Sequence, residues 1–447
     1  MRATDLAAPA IPPHTIPPDQ PSARWPARPV VGLEWVPQST WDAADPASVW
    51  DDPTPRIWDD PAAAIGYTDV WCDTAGLEVV HGEPDEADLY PPSRVTLTLY
   101  DPTGRYRRRT VDGQLVFYAP GRRLSILAVF DAPDSTSWWL FNGRVATWNE
   151  HPDDTIEIVA YAAPANLAQD PGRAWTAGVA GDTIRPRVAA IVAAAAIPGI
   201  VVRSDLGDAT LSVPAADTTT PWDAIQRAAW SDAGVVWSDA DDTLVVSDRR
   251  WRQGRGDEPT PPLVLTDNVC IAGNTVVWDA EIANADDYLA GRVVLSNDAT
   301  PNPLVAVASN PAELIDPTLT FTHPDTDLWR TQLEGDAAAQ AIANDRGRAR
   351  MAVALARVLL HDPRRQTVAD WRPLIDLRLG DRVGWQHQDG NDLVDVDVIA
   401  ATVRHLITPE SWTVEFESAP AVGYRVVHAW DTTTLTWDTA DLTGVWR

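Results

Sequence analysis

Proline restricts this chain more than any other residue. Thirty-eight of its 447 residues are proline, found from end to end and densest in the first sixty or so. Proline lacks a backbone donor and clashes with the preceding helical turn, so it ends helices and stays out of central strands. Helices are therefore short over most of the length. The apolar residues stand in brief runs broken by Pro, Gly and Asp, which is the pattern of many short strands. At this length about three domains are expected.

Residues 1–65 read as a Pro- and Trp-rich extended arm, in which Trp41, Trp50 and Trp58 stand in the phrases STWDAADP, SVWDDP and RIWDDP. A related pattern closes the chain over residues 421–447, with Trp430, Trp437 and Trp446 in AWDTTTLTWDTADLTGVW. Segments without helical or strand period are expected to lie on other surfaces, and these tryptophans are their candidate docking residues. Docking on a neighbour and packing back on the same subunit both remain open.

Residues 66–165 are β in pattern. Val95, Leu97 and Leu99 alternate with Thr96 and Thr98, Leu124 to Phe130 is apolar, and Ile156 and Ile158 flank Glu157. Residues 166–256 form an α+β insertion, with a helix over Arg185–Ile197 and a strand at Ile200–Val202. Pro221 opens a second helix at its first position, where its missing donor costs nothing. That helix presents Trp222, Ile225 and Ala229 on one face, and Val235–Trp237 then pairs with Leu244–Val246 across Asp239–Asp242. Residues 262–330 resume as β segment and linker, with 262–320 a candidate completion of the first β domain.

Residues 331–420 read as a helix plus a second β domain. The helix is placed over Asp336–Leu360, with Met351, Ala352, Leu355, Val358 and Leu359 on one stripe and Arg346, Arg350 and Arg357 opposite. Strands follow at Val394, Val396 and Val398, and at Trp412, Val414 and Phe416. The fold class is mainly β with α+β insertions: two tube-like β-barrel domains, a helix-hairpin insert and extended terminal arms.

The net charge is −29 and every basic residue is Arg. Nucleic-acid affinity rests on cations that neutralise phosphates, so specific binding is not expected. An acidic wall suits a channel through which DNA slides without sticking, although acidity also serves plain solubility. Cys72 and Cys270 are read as two free, buried thiols. The longest apolar run, Val188–Ile197, is roughly half of what crosses a bilayer, and the first 18 residues hold no apolar core of signal length. Neither export nor membrane insertion is expected.

No nucleophile elbow, zinc-protease helix, phosphate loop or dinucleotide fingerprint occurs. Paired carboxylates at Asp153-Asp154, Asp241-Asp242 and Asp286-Asp287 are too common in so acidic a chain to mark acid–base chemistry. Asp239-Ala240-Asp241-Asp242 lacks the Gly and distal Glu of a calcium loop and reads as a hairpin turn. His387 and His405 read as surface or barrel-rim residues. Arg105, Arg107, Arg108 and Arg109 are candidates to pair with carboxylates of a neighbouring subunit, or form a solvated hairpin end. No catalytic, cofactor-binding or metal-binding residue is assigned, and no enzyme is expected.

Three stretches together resemble one family. YTDVWCDTAGLEVVHGEPDEADLYPPSRVTLTLYDPTGRY places Leu99, Asp101, Gly104, Arg105 and Tyr106 where the family has a strand, a tight turn and a tyrosine. TPWDAIQRAAWSDAGVVWSDADDTLVVSDRR is similar to its helix-hairpin insert. Leu379, Gly380, Asp381 and Val383, with VIAATVRHLITPESWTVEFE, resemble its second barrel. The family is the minor tail and tail-hub (baseplate hub) proteins of tailed phages, particularly siphophages of actinobacterial hosts.

The resemblance implies a homotrimer whose six similar domains form a ring at the distal end of the tail tube, in the virion, assembled in the host cytoplasm. Its implied partners are the distal tail protein, the tail tube, the tape-measure protein and tip or fibre proteins, with DNA present only in transit at ejection. The alternative is a receptor-binding tip module that grips cell-surface glycans through exposed aromatics such as Trp138 and Trp139. A secreted glycan-cleaving enzyme is disfavoured by the missing motif.

Overall fold

The computed structural model describes residues 25–35, 66–82, 91–104, 106–107, 109–111, 114–116, 121–130, 136–168, 176–178, 180–195, 201–205, 215–216, 220–231, 234–247, 263–266, 275–277, 279–284, 290–297, 304–309, 320–322, 329–346, 351–362, 368–389, 392–420, 427–428 and 445–446. Trp41, Trp50, Trp58, Trp430, Trp437, Arg105, Arg108, Cys270 and Asp286-Asp287 lie outside the described residues. Trp446 lies in a two-residue strand, and its side chain is not described.

The first lobe is built from β1 (Ala27–Trp35), β2 (Gly66–Asp69), β3 (Thr74–Gly82), β4 (Arg94–Tyr100), the small hairpin β5 (Arg109–Val111) and β6 (Gln114–Val116), β7 (Arg123–Phe130), β8 (Ser137–Glu150) and β9 (Thr155–Tyr161). In β4 and β9 alternate residues are buried, so Val95, Leu97, Leu99, Ile156, Ile158 and Ala160 face one core. This is the period of two that the sequence shows, and it fixes register because a slip of one residue would turn every apolar side chain outward.

The insertion holds β10 (Thr176–Ala177), the helix Ile184–Ala195, β11 (Val201–Asp205), β12 (Ala215–Ala216), the helix Pro221–Trp230, β13 (Val235–Ser238) and β14 (Thr243–Ser247). Thr220 caps the second helix: its side chain accepts from the Asp223 N–H, and the Asp223 carboxylate accepts from the Thr220 N–H. The hairpin β13–β14 is covered on both faces. Val235, Trp237 and Val245 join the main core, while Val236, Leu244 and Val246 pack on the two helices.

Next come β15 (Leu263–Thr266), β16 (Thr275–Val276), β17 (Asp279–Asn284), β18 (Arg292–Asn297), β19 (Leu304–Ser309) and β20 (Thr320–Thr322), and then the helix Gln332–Arg346. The chain ends through β21 (Met351–Leu359), the helix Val368–Ile375, β22 (Arg382–Asp389), β23 (Asp392–Ile407), β24 (Trp412–Pro420), β25 (Val427–His428) and β26 (Val445–Trp446). β15 pairs with β22 and β17 with β21, so these two strands join the lobe formed by β21–β24 and not the first. β18, β19 and β20 form a separate small sheet.

The fold is mainly β with α-helical insertions. The strands expected in two tube-like domains run on as one 14-stranded sheet, and Ala27–Trp35, expected within an arm of no strand period, joins it as β1 between β7 and β2, its Pro29 tolerated because β2 pairs only from Gly32 onward. The helix expected over Asp336–Leu360 stops at Arg346, and its second half is the strand β21. MAVALARVL satisfies both periods, and pairing decided between them: β17 on one edge and β24 on the other give it ladders that a helix would forfeit. Ala356, Val358 and Leu360 alternate into the core accordingly.

Candidate functional site, the seam between the two β lobes

β23 joins the lobes because its sixteen residues exceed what one partner can cover. Along one edge it pairs with β22 from Asp392 to Ile399 and then with β3 from Thr402 to Ile407, while β24 occupies the other edge. A bulge between Ala400 and Thr402 marks the change of partner. Leu379-Gly380-Asp381 sits there: the Gly380 N–H donates to the Ala400 carbonyl at 2.9 Å, and the Ala400 N–H donates to the Asp381 carbonyl at 2.9 Å. The Asp381 carboxylate closes the turn by accepting from the Arg378 N–H at 2.7 Å. Gly380 has φ +80, and Gly82, at the end of β3, has φ +88 and lies against Ala401 and Leu379. Leu379 and Val383 are core residues.

The other family turn lies at the opposite end of the β3–β4 pair, so the two motifs are not brought together. Leu99 is in the core. The Gly104 N–H donates to the Asp101 carbonyl at 3.2 Å, and the buried Asp101 carboxylate accepts from the Tyr106 N–H at 2.8 Å. The Tyr106 ring is buried, and its hydroxyl donates to Asp73 at 2.6 Å. This is a structural clasp between the turn and the 3-10 segment Trp71–Asp73 that precedes β3. Arg107, read as a candidate for a neighbouring subunit, instead pairs with Asp154 of its own chain at 2.9 Å.

A buried polar junction fastens the insertion to both lobes. The His81 ring is within hydrogen-bond distance of Ser93 Oγ, 2.8 Å from Nδ1, and of the Leu140 carbonyl, 2.7 Å from Nε2. The Ser93 N–H and hydroxyl meet Ser238 at 2.6 and 2.8 Å. Arg378 donates to the Trp139 carbonyl at 3.0 Å and faces Asp239 at 3.7 Å. Burial, reinforced by Arg378, lowers the His81 pKa to about 4. His405 is likewise fully buried, a correction to its reading as a rim residue, and accepts from the Trp412 indole at 3.4 Å. Burial, with His81 and Arg378 nearby, lowers its pKa to about 3. Both rings are neutral at pH 7.

An ion-pair ladder crosses four strands of both lobes. Arg357 on β21 meets Glu415 on β24 at 2.7 Å, Glu415 meets Arg404 on β23 at 3.2 Å, and Arg404 meets Glu78 on β3 at 3.4 Å. Arg382 and Asp397 pair beside it. At the insertion's hairpin, Asp242 has φ +75 and its carboxylate accepts from the Ala163 N–H. Burial raises its pKa to about 7 against the pull of Arg123 and Arg144. The expected turn at Asp239–Asp242 thus reaches both lobes, Asp239 facing Arg378 and Asp242 holding the Ala163 N–H.

Sequence reasoning did not single out His81, Ser93, Ser238, Arg378, Arg404 or Glu415. The one signal available was a polar residue inside an apolar strand run, as at His81 after Val79-Val80. Cys72, read as buried, is half-buried. Trp138 and Trp139 are half-buried, and the Arg372 guanidinium lies 4.8 Å from the Trp138 ring centre. Among the described residues no group of three His, Cys, Asp or Glu could hold a metal ion. The seam brings together hydrogen bonds and ion pairs that fix geometry.

No family model and no curated protein matches the sequence. Solved structures do. A prophage MuSo2 43 kDa tail protein from Shewanella oneidensis superposes with a TM-score of 0.53 at 11% identity, covering 88% of this chain and 99% of that one. This is a tail-protein fold. The tail protein from Neisseria meningitidis MC58 gives a TM-score of 0.52 at 13% identity, over 79% of this chain and 94% of that one. The likeness spans most of this chain and nearly the whole of both neighbours.

Proposed function

We propose that the chain is a structural subunit of a phage tail, a minor tail or tail-hub protein at the distal end of the tail tube. Three copies assemble there into a ring that connects tube to tip and lets DNA pass during ejection. The observation that carries this reading is the single sheet fused through β23, together with likeness to tail proteins along nearly the whole length of each. A ring adaptor must transmit load from one lobe to the other, and a continuous ladder with a buried junction does so without a hinge. The charge of −29 suits a wall that DNA passes without binding.

Its partners are then further copies of itself, the distal tail protein, the tail tube, the tape-measure protein and tip or fibre proteins, with the terminal tryptophans as docking residues. The seam residues position strands and perform no chemistry, so no enzymatic role is proposed. The glycan-binding alternative gains nothing at Trp138, a ring packed on the core under Arg372. Light scattering on the purified protein, alone and mixed with the tail proteins encoded beside it, tests the reading. A trimer, or three copies captured per ring, supports it, and a monomer that ignores tail proteins and binds glycans overturns it.

A further inference from the structure

One row on the outer face of the first lobe is cationic and unmatched. Arg94 on β4 stands opposite Tyr161 on β9, Tyr161 opposite Arg144 on β8, and Arg144 opposite Arg123 on β7. Directly opposed residues of an antiparallel pair share a face, and this face lies away from the core that Val95, Ala160, Val145 and Leu124 fill. Arg123, Arg144 and Tyr161 are exposed, and Arg94 is half-buried. Arg357 and Arg404, farther across the sheet, have Glu415 and Glu78 as partners. Among the described residues Arg94, Arg123 and Arg144 form no ion pair, and Arg144 donates to the Gly121 carbonyl at 2.9 Å. Two carboxylates come near and are engaged by backbone: Glu34 accepts from the Arg123 N–H at 2.7 Å, and Asp242 from the Ala163 N–H.

The chain itself supplies the complement. Residues 36–65 contain Asp42, Asp45, Asp51, Asp52, Asp59 and Asp60 against one cation, Arg56. They run from Trp35, the last residue of β1, to Gly66, the first of β2, and those two residues are paired. Both ends stand beside the row, because Glu34, next to Trp35, holds the Arg123 N–H. From Arg123 to Arg94 is three strand spacings, about 14 Å. Half of the segment, fully extended, reaches about 50 Å. A tether of this length also keeps its acids near the row at an effective concentration on the order of millimolar, which an unattached acidic partner has to exceed.

We propose that the acidic segment 36–65 docks through its aspartates on the Arg94–Tyr161–Arg144–Arg123 row of its own subunit. The arginine forks bind the carboxylates by charge-assisted hydrogen bonds. The tryptophans beside those aspartates remain for the partners proposed above. The contact stands independently of the tail role.

Because every basic residue is Arg, the test can be made site-specific. In the full chain Arg94→Lys or Arg123→Lys keeps the charge and provides the one side-chain amine, which a carbodiimide joins to a carboxylate in contact with it. Arg107→Lys, beside Asp154, is the control for reactivity. Peptide mass spectrometry on mixed isotopically light and heavy protein locates each link and tells links within a chain from links between chains. The expected result is linkage at both positions to aspartates of residues 36–65 within one chain. The link at position 94, the farther from the tether, should be lost near about 1 M salt, where charges are screened beyond about 3 Å. If position 94 reaches none of these aspartates while the control links to Asp154, the inference is overturned. A link that persists at high salt overturns it too, as does one that joins light to heavy chains, which gives the row to a second copy.

Discussion

The Gly380 N–H donates to the Ala400 carbonyl where β23 leaves β22 and takes up β3. Gly82 closes the same point from the other lobe, and a Cβ on it would lie 2.2 Å from the Ala401 carbonyl oxygen. Gly82→Ala is therefore expected to cost upward of about 2 kcal/mol through clash and left-handed strain together. Gly76 has open space and no positive φ, so Gly76→Ala should be near neutral. Denaturant titration of the two variants separates these outcomes.

Acid should loosen the seam. His81 and His405 are held neutral down to about pH 4 and 3, while an unfolded histidine takes its proton near 6.5. Their contribution is complete above 6.5 and is lost as pH falls through the folded values, with a slope of up to about 1.4 kcal/mol per pH unit for each ring. Melting curves from pH 7 to 4 should show the loss, and His405→Leu should flatten it. An unchanged slope in that variant would assign the acid limb elsewhere.

Asp242 works in the opposite sense. Its folded pKa of about 7 stands above the ordinary 3.8, so its stabilising contribution is present below 3.8 and is lost as pH rises through 7. Asn keeps an acceptor for the Ala163 N–H, tolerates φ +75 and carries no charge. Asp242→Asn should therefore gain roughly 1–3 kcal/mol at pH 8 and nothing near pH 4. Equal gains at both values would contradict the burial argument.

The ladder should be unequal along its length. Glu415 is 7% exposed and lies between two arginines. Arg404→Met removes one of them and is expected to cost about 1–3 kcal/mol. Glu78, at the end of the ladder on β3, is 35% exposed, and Glu78→Gln should cost less than about 1 kcal/mol. A double-mutant cycle between positions 78 and 404 measures the coupling directly.

What the sequence disclosed followed the reach of each signal. Alternation in β4 and β9 and the helix start at Pro221 are local, and they were readable because neighbouring residues alone set them. The helix expected beyond Arg346 failed because MAVALARVL fits both periods, and strands far away in the chain decided it. The seam was nearly invisible. His81 meets Leu140 across 59 residues and Arg378 meets Trp139 across 239, and no spacing rule spans such distances. Leu379-Gly380-Asp381 was visible as a motif, but its place at the partner change of β23 was not.

The most direct measurement of the central claim is the copy number and position of this chain in purified phage particles, by quantitative mass spectrometry with antibody labelling of the tail. The tail-subunit reading predicts three copies per particle, all at the distal end of the tail. Particles that lack the chain, or carry it on the head, would contradict it.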